Sequence, residues 1–204
     1  HMRTEVHRNG KIYVQEYSIG KPLYPVKEIG TTDYRGTIQT FKPDETIFIT
    51  TIYNYDTLAS RLRELSYLNK GIRITLTDMR EKDEQGNVRS DEFLSELGLR
   101  EFVEYIDANR EKLIPECMFF ESDKFGIPIE VAMQYNTSFS ENIHSYVNNI
   151  NTHEGGTHLS GFRRALTRTL KAYAEKEGML AKLKFDIDGD DFREGLTAVI
   201  SVKV

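Results

Sequence analysis

The segment from Asn148 to Lys176 (NNINTHEGGTHLSGFRRALTRTLKAYAEK) concentrates the side chains that could do chemistry. Its histidines, His153 and His158, together with His144 upstream, are candidate zinc ligands. Zinc needs three or four ligands at defined distances. A five-residue interval that crosses two flexible glycines fixes neither distance nor geometry, so the spacing argues against a metal site.

The EGGTH sequence, Glu154 to His158, allows two further interpretations. It could hold a phosphate, because a helix N-terminus presents free N–H groups and a favourable dipole to anions. It lacks the Gly-x-x-x-x-Gly-Lys-Ser/Thr pattern of a phosphate loop. The simpler interpretation is a glycine turn that leads into a helix, with Thr157 near the cap.

The helix that follows has one apolar and one basic side. At 100° per residue, five apolar side chains fall within an arc of about 80° and predict a buried stripe. These are Leu159, Phe162, Leu166, Leu170 and Tyr173. Arg164, Arg168 and Lys171 project from the other side, with Arg163 at the edge of the stripe and Glu175 as the nearby acid.

This basic side could be a solvated surface, a contact for a protein partner, or a contact for DNA. Three cations that each meet one phosphate would give a salt slope of about three, which is a weak contact. Phosphate contacts carry no sequence information, so such a surface would hold DNA without selecting a sequence.

Two other groups of residues are weaker candidates. The DIDGDDFREG segment places Asp186, Asp188, Asp190 and Asp191 close together, but its glycine is misplaced for a calcium loop and the terminal glutamate is missing. A capped turn over residues 190–195 is the better interpretation. Cys117 is the single cysteine, which excludes an internal disulfide, and its apolar neighbours predict a buried strand residue.

Composition restricts the class of protein. The 204 residues are 39% hydrophobic and carry a formal charge of −5, which is enough for a core and argues against a chain coated with nucleic acid. No apolar run of about 18 residues and no signal peptide is visible, so we expect a cytoplasmic protein without membrane partners. His1-Met2 looks vector-derived, and we expect the natural protein to continue beyond both ends.

The first part of the chain predicts strands before a helix. Alternating residues flank Asn9-Gly10, a strong hairpin signal. Residues 26–30 and 36–44 read as further strands. A helix is predicted from Tyr55, with Asp56 as its cap, a stripe through Leu58, Leu62, Leu65 and Leu68, and Gly71 as its end. A strand over residues 72–78 follows, and the charged residues 79–95 predict an exposed loop or linker.

The second part predicts a helix whose apolar stripe is Leu99, Phe102, Val103 and Ile106. The pattern continues with two strands joined at Phe125-Gly126 and a third strand near Ile143. The long basic helix and a final strand follow. This order predicts an α+β fold in which a helix lies across a largely antiparallel sheet.

Four segments together closely resemble the B subunit of bacterial DNA gyrase, over the whole chain after residue 2. They are YDTLASRLRELSYLNKGIRITLTD, FVEYI, the run from Asn148 to Gly178, and DDFREGLTAVISVKV. The run from Asn148 to Tyr173 is more similar to gyrase than to its paralogue in topoisomerase IV. The charged stretch from Met79 to Leu97 departs from the aromatic-Glu-Gly-Gly sequence expected before the second domain.

The resemblance implies two domains. Residues 3–97 would be the C-terminal part of a GHKL-type ATPase domain plus a linker, and residues 98–204 a transducer domain with a left-handed βαβ arrangement. Intact family members bind ATP with Mg²⁺, dimerise and capture duplex DNA. With gyrase A they introduce negative supercoils.

The resemblance also assigns residues. Thr37 matches the threonine that contacts adenine together with a water and an aspartate. Arg163 matches an arginine lining the cavity for the transported DNA, with Arg164, Arg168 and Arg193 as neighbours. The catalytic glutamate, the Mg²⁺-binding asparagine and the glycine-rich lid would precede residue 3, and the γ-phosphate loop would follow Val204. We therefore expect this chain alone to bind no ATP or Mg²⁺ and to lack ATPase activity. Topoisomerase IV and a non-catalytic interaction module are the alternatives.

Overall fold

The computed structural model describes residues 1–182 and 186–204, which divide into two compact units, His1–Asn54 and Tyr55–Val204. This division follows internal contacts. The domain boundary between residues 97 and 98 concerns the domains of the family and stays a prediction.

The first unit is a five-stranded sheet. Its strands are β1 (Met2–Arg8), β2 (Lys11–Ser18), β3 (Lys21–Pro22), β4 (Lys27–Thr31) and β5 (Gly36–Phe41). The order is β3-β2-β1-β5, and β4 also pairs with β2. The predicted hairpin turn is confirmed, because Asn9 and Gly10 have φ of 54° and 75°, the left-handed conformation that these residue types tolerate.

The first unit buries few apolar side chains. Within residues 1–54, Val14 is the one apolar residue in the buried class. Ile47, Phe48, Ile49 and Ile52 are all more than half exposed. The sheet therefore has no substantial core of its own.

The second unit begins with α1 (Tyr55–Leu68), β6 (Ile74–Lys82), β7 (Val88–Phe93) and α2 (Leu99–Ile106). The predicted loop over residues 79–95 is wrong, because β6 and β7 form an antiparallel hairpin with Thr77 opposite Ser90. The hairpin packs Ile74, Leu76 and Phe93 beside α1, but the residues between Met79 and Glu92 are mostly exposed and charged, so no apolar alternation indicates its second strand. Asp56 lies in the first turn of α1 and forms an ion pair with Arg89 at 2.6 Å.

The main sheet has five strands in the order β11-β10-β12-β9-β8. These are β8 (Met118–Lys124), β9 (Ile127–Tyr135), β10 (Asn142–Val147), β11 (Ile150–Asn151) and β12 (Leu196–Val202). The long helix α3 (Thr157–Lys176) connects β10 to β12, which run parallel, whereas the other neighbouring strands are antiparallel. The α+β fold is therefore as predicted, and the handedness of the β10–α3–β12 crossover stays a prediction.

Helices cover both faces of this sheet. Leu196 and Ala198 of β12 share a core cluster with Leu166 of α3. Val199 shares another with Phe102 and Val103 of α2. Because successive strand residues point to opposite faces, all seven residues of β12 are buried.

Of three local expectations, those for Tyr173 and Cys117 differ from the structure, whereas Thr157 lies next to the cap as predicted. Tyr173 is 56% exposed, whereas the neighbouring Ala174 is buried and α3 also contacts the 3-10 turn Leu180–Lys182. Thr157 is the first helical residue, and Gly156 takes the cap position without a side-chain hydrogen bond. Cys117 precedes β8 by one residue and is half-buried, and this burial raises the pKa of its thiol.

Candidate nucleic-acid interface

The segment that enters α3 is tied to the sheet by polar side chains. Thr152 Oγ1 lies 2.6 Å from Ser145 Oγ and 3.2 Å from His158 Nε2. His144 Nε2 lies 3.1 Å from Asn142 Oδ1, and burial lowers the pKa of His144, so the neutral imidazole is favoured. In the described part of the chain, no three His, Cys, Asp or Glu residues are grouped to hold a metal ion.

The predicted arginines do not share one environment. Arg164 and Arg168 are exposed on α3 and form no ion pair with residues in the described ranges. Arg163 is paired with Glu141, with Nη2 at 2.5 Å and Nε at 2.7 Å from Oε1. The basic side of α3 is therefore not opposed by Glu175 alone, as its sequence indicated.

Glu141 also joins Arg193 to this group. Arg193 Nε donates to Glu141 Oε2 at 3.0 Å. The guanidinium also donates to Thr167 Oγ1 on α3 at 3.3 Å and to the carboxylate of Asp190. The structure thus brings Arg163 and Arg193 together through a residue that sequence reasoning missed, because Glu141 has no local motif and lies 22 and 52 positions from its partners.

The aspartate-rich turn before β12 supports Arg193. Asp188 accepts hydrogen bonds from the backbone N–H groups of Asp190 at 2.7 Å and Asp191 at 3.3 Å. A 3-10 turn over Asp191–Arg193 follows. The carboxylates of Asp188 and Asp191 thus accept backbone N–H groups of this turn, whereas Asp190, which takes the cap position of the 3-10 turn, makes no side-chain cap hydrogen bond.

The end of β9 also holds this turn through two hydrogen bonds. The Tyr135 hydroxyl donates to the carbonyl of Phe192 at 2.6 Å, and the Asn136 N–H donates to the carbonyl of Gly195 at 2.9 Å. These bonds hold the residues on either side of Arg193 against β9. The position of Arg193 therefore depends on contacts between segments almost 60 residues apart.

A buried polar network lies next to these contacts. Asp107 accepts hydrogen bonds from Thr197 Oγ1 at 2.7 Å, Asn136 Nδ2 at 2.9 Å and Arg110 Nη1 at 2.8 Å. Asp107, Asn136 and Thr197 are all at least 98% buried. Buried polar groups that are mutually satisfied fix one arrangement, so the network holds the end of α2 against β9 and β12.

A second polar link joins α1 to the edge of the main sheet. The Tyr146 hydroxyl donates to Glu64, which is also paired with Arg61. Arg61 Nη2 donates to the carbonyl of Asn149 at 2.6 Å, and Asn149 Nδ2 donates to Asn69 Oδ1 at 2.9 Å. Burial, and then the bond to Glu64, raise the pKa of Tyr146.

Thr37 lies in the first unit. It is exposed on β5, an edge strand, and is opposite Val6 of β1 in the register. One exposed hydroxyl does not make a nucleotide pocket, and no described group of carboxylates is placed to hold Mg²⁺. The residues present here therefore do not fit ATP and Mg²⁺ by themselves.

The family comparison defines the class of protein. The family model described as DNA gyrase B matches residues 98–204, which is more than half of the chain. The chain belongs to the DNA gyrase B family. Among relatives, the DNA gyrase B protein of Cytophaga hutchinsonii is 64% identical over 203 residues, with 100% of this chain and 42% of the relative covered.

A more distant relative and two solved structures agree. The DNA gyrase B protein of Halalkalibacterium halodurans is 50% identical over 204 residues, covering 100% of this chain and 31% of the relative. The 43K ATPase domain of Thermus thermophilus gyrase B, solved with an aminocoumarin, has a TM-score of 0.81 at 31% identity, covering 100% of this chain and 54% of that chain. The gyrase B protein of Myxococcus xanthus shares the fold, with a TM-score of 0.79 at 21% identity over 99% of this chain and 56% of that chain.

The chain thus spans less than half the length of these curated relatives. Among the described residues, no helix is both long and apolar enough to cross a membrane.

Proposed function

We propose that this chain is part of the ATP-hydrolysing B subunit of a DNA gyrase. In the whole protein it couples ATP binding and hydrolysis to DNA strand passage and negative supercoiling, as an ATP-dependent type II topoisomerase in the cytoplasm. The observation that supports this proposal most is the match of the gyrase B family model to residues 98–204. Relatives of 48–64% identity carry the gyrase name, which favours gyrase over topoisomerase IV.

Within this function the two parts of the chain have different roles. Residues 3–97 belong to the end of the GHKL ATPase domain and its linker, and Thr37 contributes to the adenine site there. Residues 98–204 form the transducer. The longer protein binds ATP and Mg²⁺, forms a homodimer, and works with gyrase A and duplex DNA, whereas this chain alone does not hydrolyse ATP.

Arg163, Arg164, Arg168 and Arg193 form the DNA-facing surface. The exposure of Arg164 and Arg168 on α3 supports this role, because cations that face solvent are free to meet phosphates. Arg163 leaves 43% of its side chain exposed, and Arg193 leaves 13%. We therefore expect Arg164 and Arg168 to contribute most of the affinity and Arg193 least.

The test is duplex binding by the 204-residue chain at several salt concentrations. Replacing Arg163, Arg164 and Arg168 together by alanine should abolish most of the binding and reduce the salt slope by about two to three. The matched control removes three exposed lysines elsewhere, Lys21→Ala, Lys42→Ala and Lys124→Ala, and should reduce binding much less.

Duplex affinity that does not depend on salt concentration would contradict the assignment of this surface. An equal loss of affinity in the arginine and lysine triple variants would also contradict it. A partner protein captured through the arginines without any duplex binding would favour the interaction-module alternative.

The enzymatic part is tested separately. A full-length gyrase B protein that contains this chain, combined with gyrase A, should supercoil relaxed DNA only with ATP and Mg²⁺.

A further inference from the structure

Glu141 occupies a position between the two partly buried arginines of the candidate interface. It lies one residue before β10, whereas Arg163 is in α3 and Arg193 is in the turn before β12. Each carboxylate oxygen serves one arginine, Oε1 for Arg163 and Oε2 for Arg193. One side chain therefore joins three separate segments of the second unit.

The charges of this group cancel. Glu141 and Asp190 together carry two negative charges, and Arg163 and Arg193 carry two positive charges. Asp190 is 88% exposed, so water screens its contribution, whereas Glu141 is 26% exposed and lies directly against both guanidinium groups. Of the two acids, Glu141 therefore has the greater effect on the charge that this part of the surface presents.

The two arginines differ in what remains available to a ligand. Arg193 is engaged by Glu141, Asp190 and Thr167, and its side chain is mostly buried. Arg163 has Glu141 as its one ion-pair partner among the described residues and is about half exposed. Arg163 is therefore the member of the pair that can exchange its carboxylate for another anion.

We propose that Glu141 is a positioning residue that holds Arg163 and Arg193 and competes with DNA phosphate for Arg163. The proposal rests on the DNA-binding function proposed above. Without DNA, Glu141 fixes both guanidinium groups. When a duplex approaches, a phosphate takes over Arg163, while Arg193 stays bound to the turn. Glu141 thereby weakens duplex binding and makes it readily reversible.

The first measurement needs no DNA. In the wild-type chain the Nε–H groups of Arg163 and Arg193 both donate to Glu141, so nuclear magnetic resonance should show slow exchange of these protons with water. In Glu141→Gln their exchange should become several-fold faster, most clearly for Arg163. Fast exchange in the wild type, or no change in the variant, would overturn the proposal.

The second measurement is duplex binding. Glu141→Gln should bind more tightly at low salt, and its salt slope should be steeper by about one. Its affinity should therefore fall about fourfold more than that of the wild type between about 50 and 200 mM salt. The same substitution should give no gain when Arg163 is already alanine. Glu175→Gln, which removes an equal charge from α3, is the matched control and should have a smaller effect.

Three results would overturn the proposed competition with phosphate. They are an unchanged or weaker duplex affinity of Glu141→Gln, an equal gain of affinity in Glu175→Gln, and a full gain from Glu141→Gln when Arg163 is already alanine. A wild-type chain that protects both Nε–H groups but binds no duplex would instead contradict the proposed DNA-binding function. Failure of the two proposals is therefore distinguishable.

Discussion

At the scale of single residues, the buried tyrosine of β10 shows how burial converts a weak acid into a source of pH dependence. Tyr146 has no exposed surface, packs 6.1 Å from the Phe102 ring, and donates its hydroxyl proton to Glu64. The ionised phenolate would be both desolvated and beside a carboxylate. The folded chain therefore favours the neutral phenol, and the pKa of Tyr146 is raised.

We predict that Tyr146→Phe lowers the free energy of unfolding by about 1–2 kcal/mol at pH 7, because Glu64 loses a buried donor. A raised pKa in the folded state gives stability that is complete below the ordinary tyrosine pKa of about 10 and is lost as the pH rises beyond it. The free energy of unfolding of the wild type, measured in urea, should therefore fall more steeply with pH above about 10 than that of the variant.

Tyr173→Phe is the control for this experiment, because Tyr173 is mostly exposed and its substitution should change stability by less than about 0.5 kcal/mol. Equal pH dependence in wild type and Tyr146→Phe would contradict the role of the buried hydroxyl. The hydrogen bond that carries this prediction links residues 82 positions apart, so no local pattern announces it.

At the scale of elements, the local signals of turns and helices were the reliable ones. Asn9-Gly10 and Phe125-Gly126 both take positive φ between paired strands, as the dipeptides indicated. The stripe of α2 is buried at Leu99, Phe102 and Val103. These features depend on the backbone preferences and periodicity of neighbouring residues, which the sequence contains directly.

The β6–β7 hairpin is an element that the local sequence pattern did not predict. One end of the hairpin packs Ile74, Leu76 and Phe93 beside α1, whereas most residues nearer the turn are exposed. The turn is held by Asp83, which accepts backbone N–H groups of Gln85 at 2.9 Å and Asn87 at 2.8 Å. Those bonds lower the pKa of Asp83. Near the turn, pairing of the backbone rather than burial of side chains defines the element, so residues 79–87 carry no apolar alternation.

The turn into β12 gives the prediction at this scale. Gly195 has φ of 71°, and a Cβ there would lie 2.5 Å from the carbonyl oxygen of Asn136 and 2.9 Å from that of Ser138. Both obstacles are backbone atoms that cannot rotate away. Gly195→Ala should therefore lower the free energy of unfolding by at least about 2 kcal/mol.

Gly161 provides the matched control. It lies within α3, and a Cβ added there meets no atom within 4 Å. Gly161→Ala should raise the free energy of unfolding by about 0.5–1 kcal/mol, because alanine loses less conformational entropy in a helix. Urea unfolding followed by circular dichroism compares the two, and a tolerated Gly195→Ala would contradict the close approach of the Asn136 and Ser138 carbonyls to this turn.

At the scale of the whole molecule, the two compact units differ in how much core they contain. The second unit has helices on both faces of its sheet, whereas the first has a sheet with one buried apolar residue, Val14. Residues 42–54 contain no helix or strand and expose Ile47, Phe48 and Ile49. Exposed segments without regular structure are where proteases act first.

We predict that chymotrypsin at low concentration cuts first at Phe48 or Tyr53. The product that contains residues 55–204 should keep the circular dichroism of α1, α2 and α3, because its core is complete within those residues. Mass spectrometry identifies the cut. First cleavage inside α3, or loss of helical signal at the first cut, would contradict the independence of the second unit.

The sequence by itself determined the three main helices, the hairpin turns and the presence of Arg163, Arg164, Arg168 and Lys171 on α3, because these follow from residue type and local spacing. Only the tertiary structure decided that β12 lies between β9 and β10 and that Glu141 meets Arg163 and Arg193. The charge of a surface depends on which side chains become neighbours in space, and here those neighbours come from segments that only folding brings together.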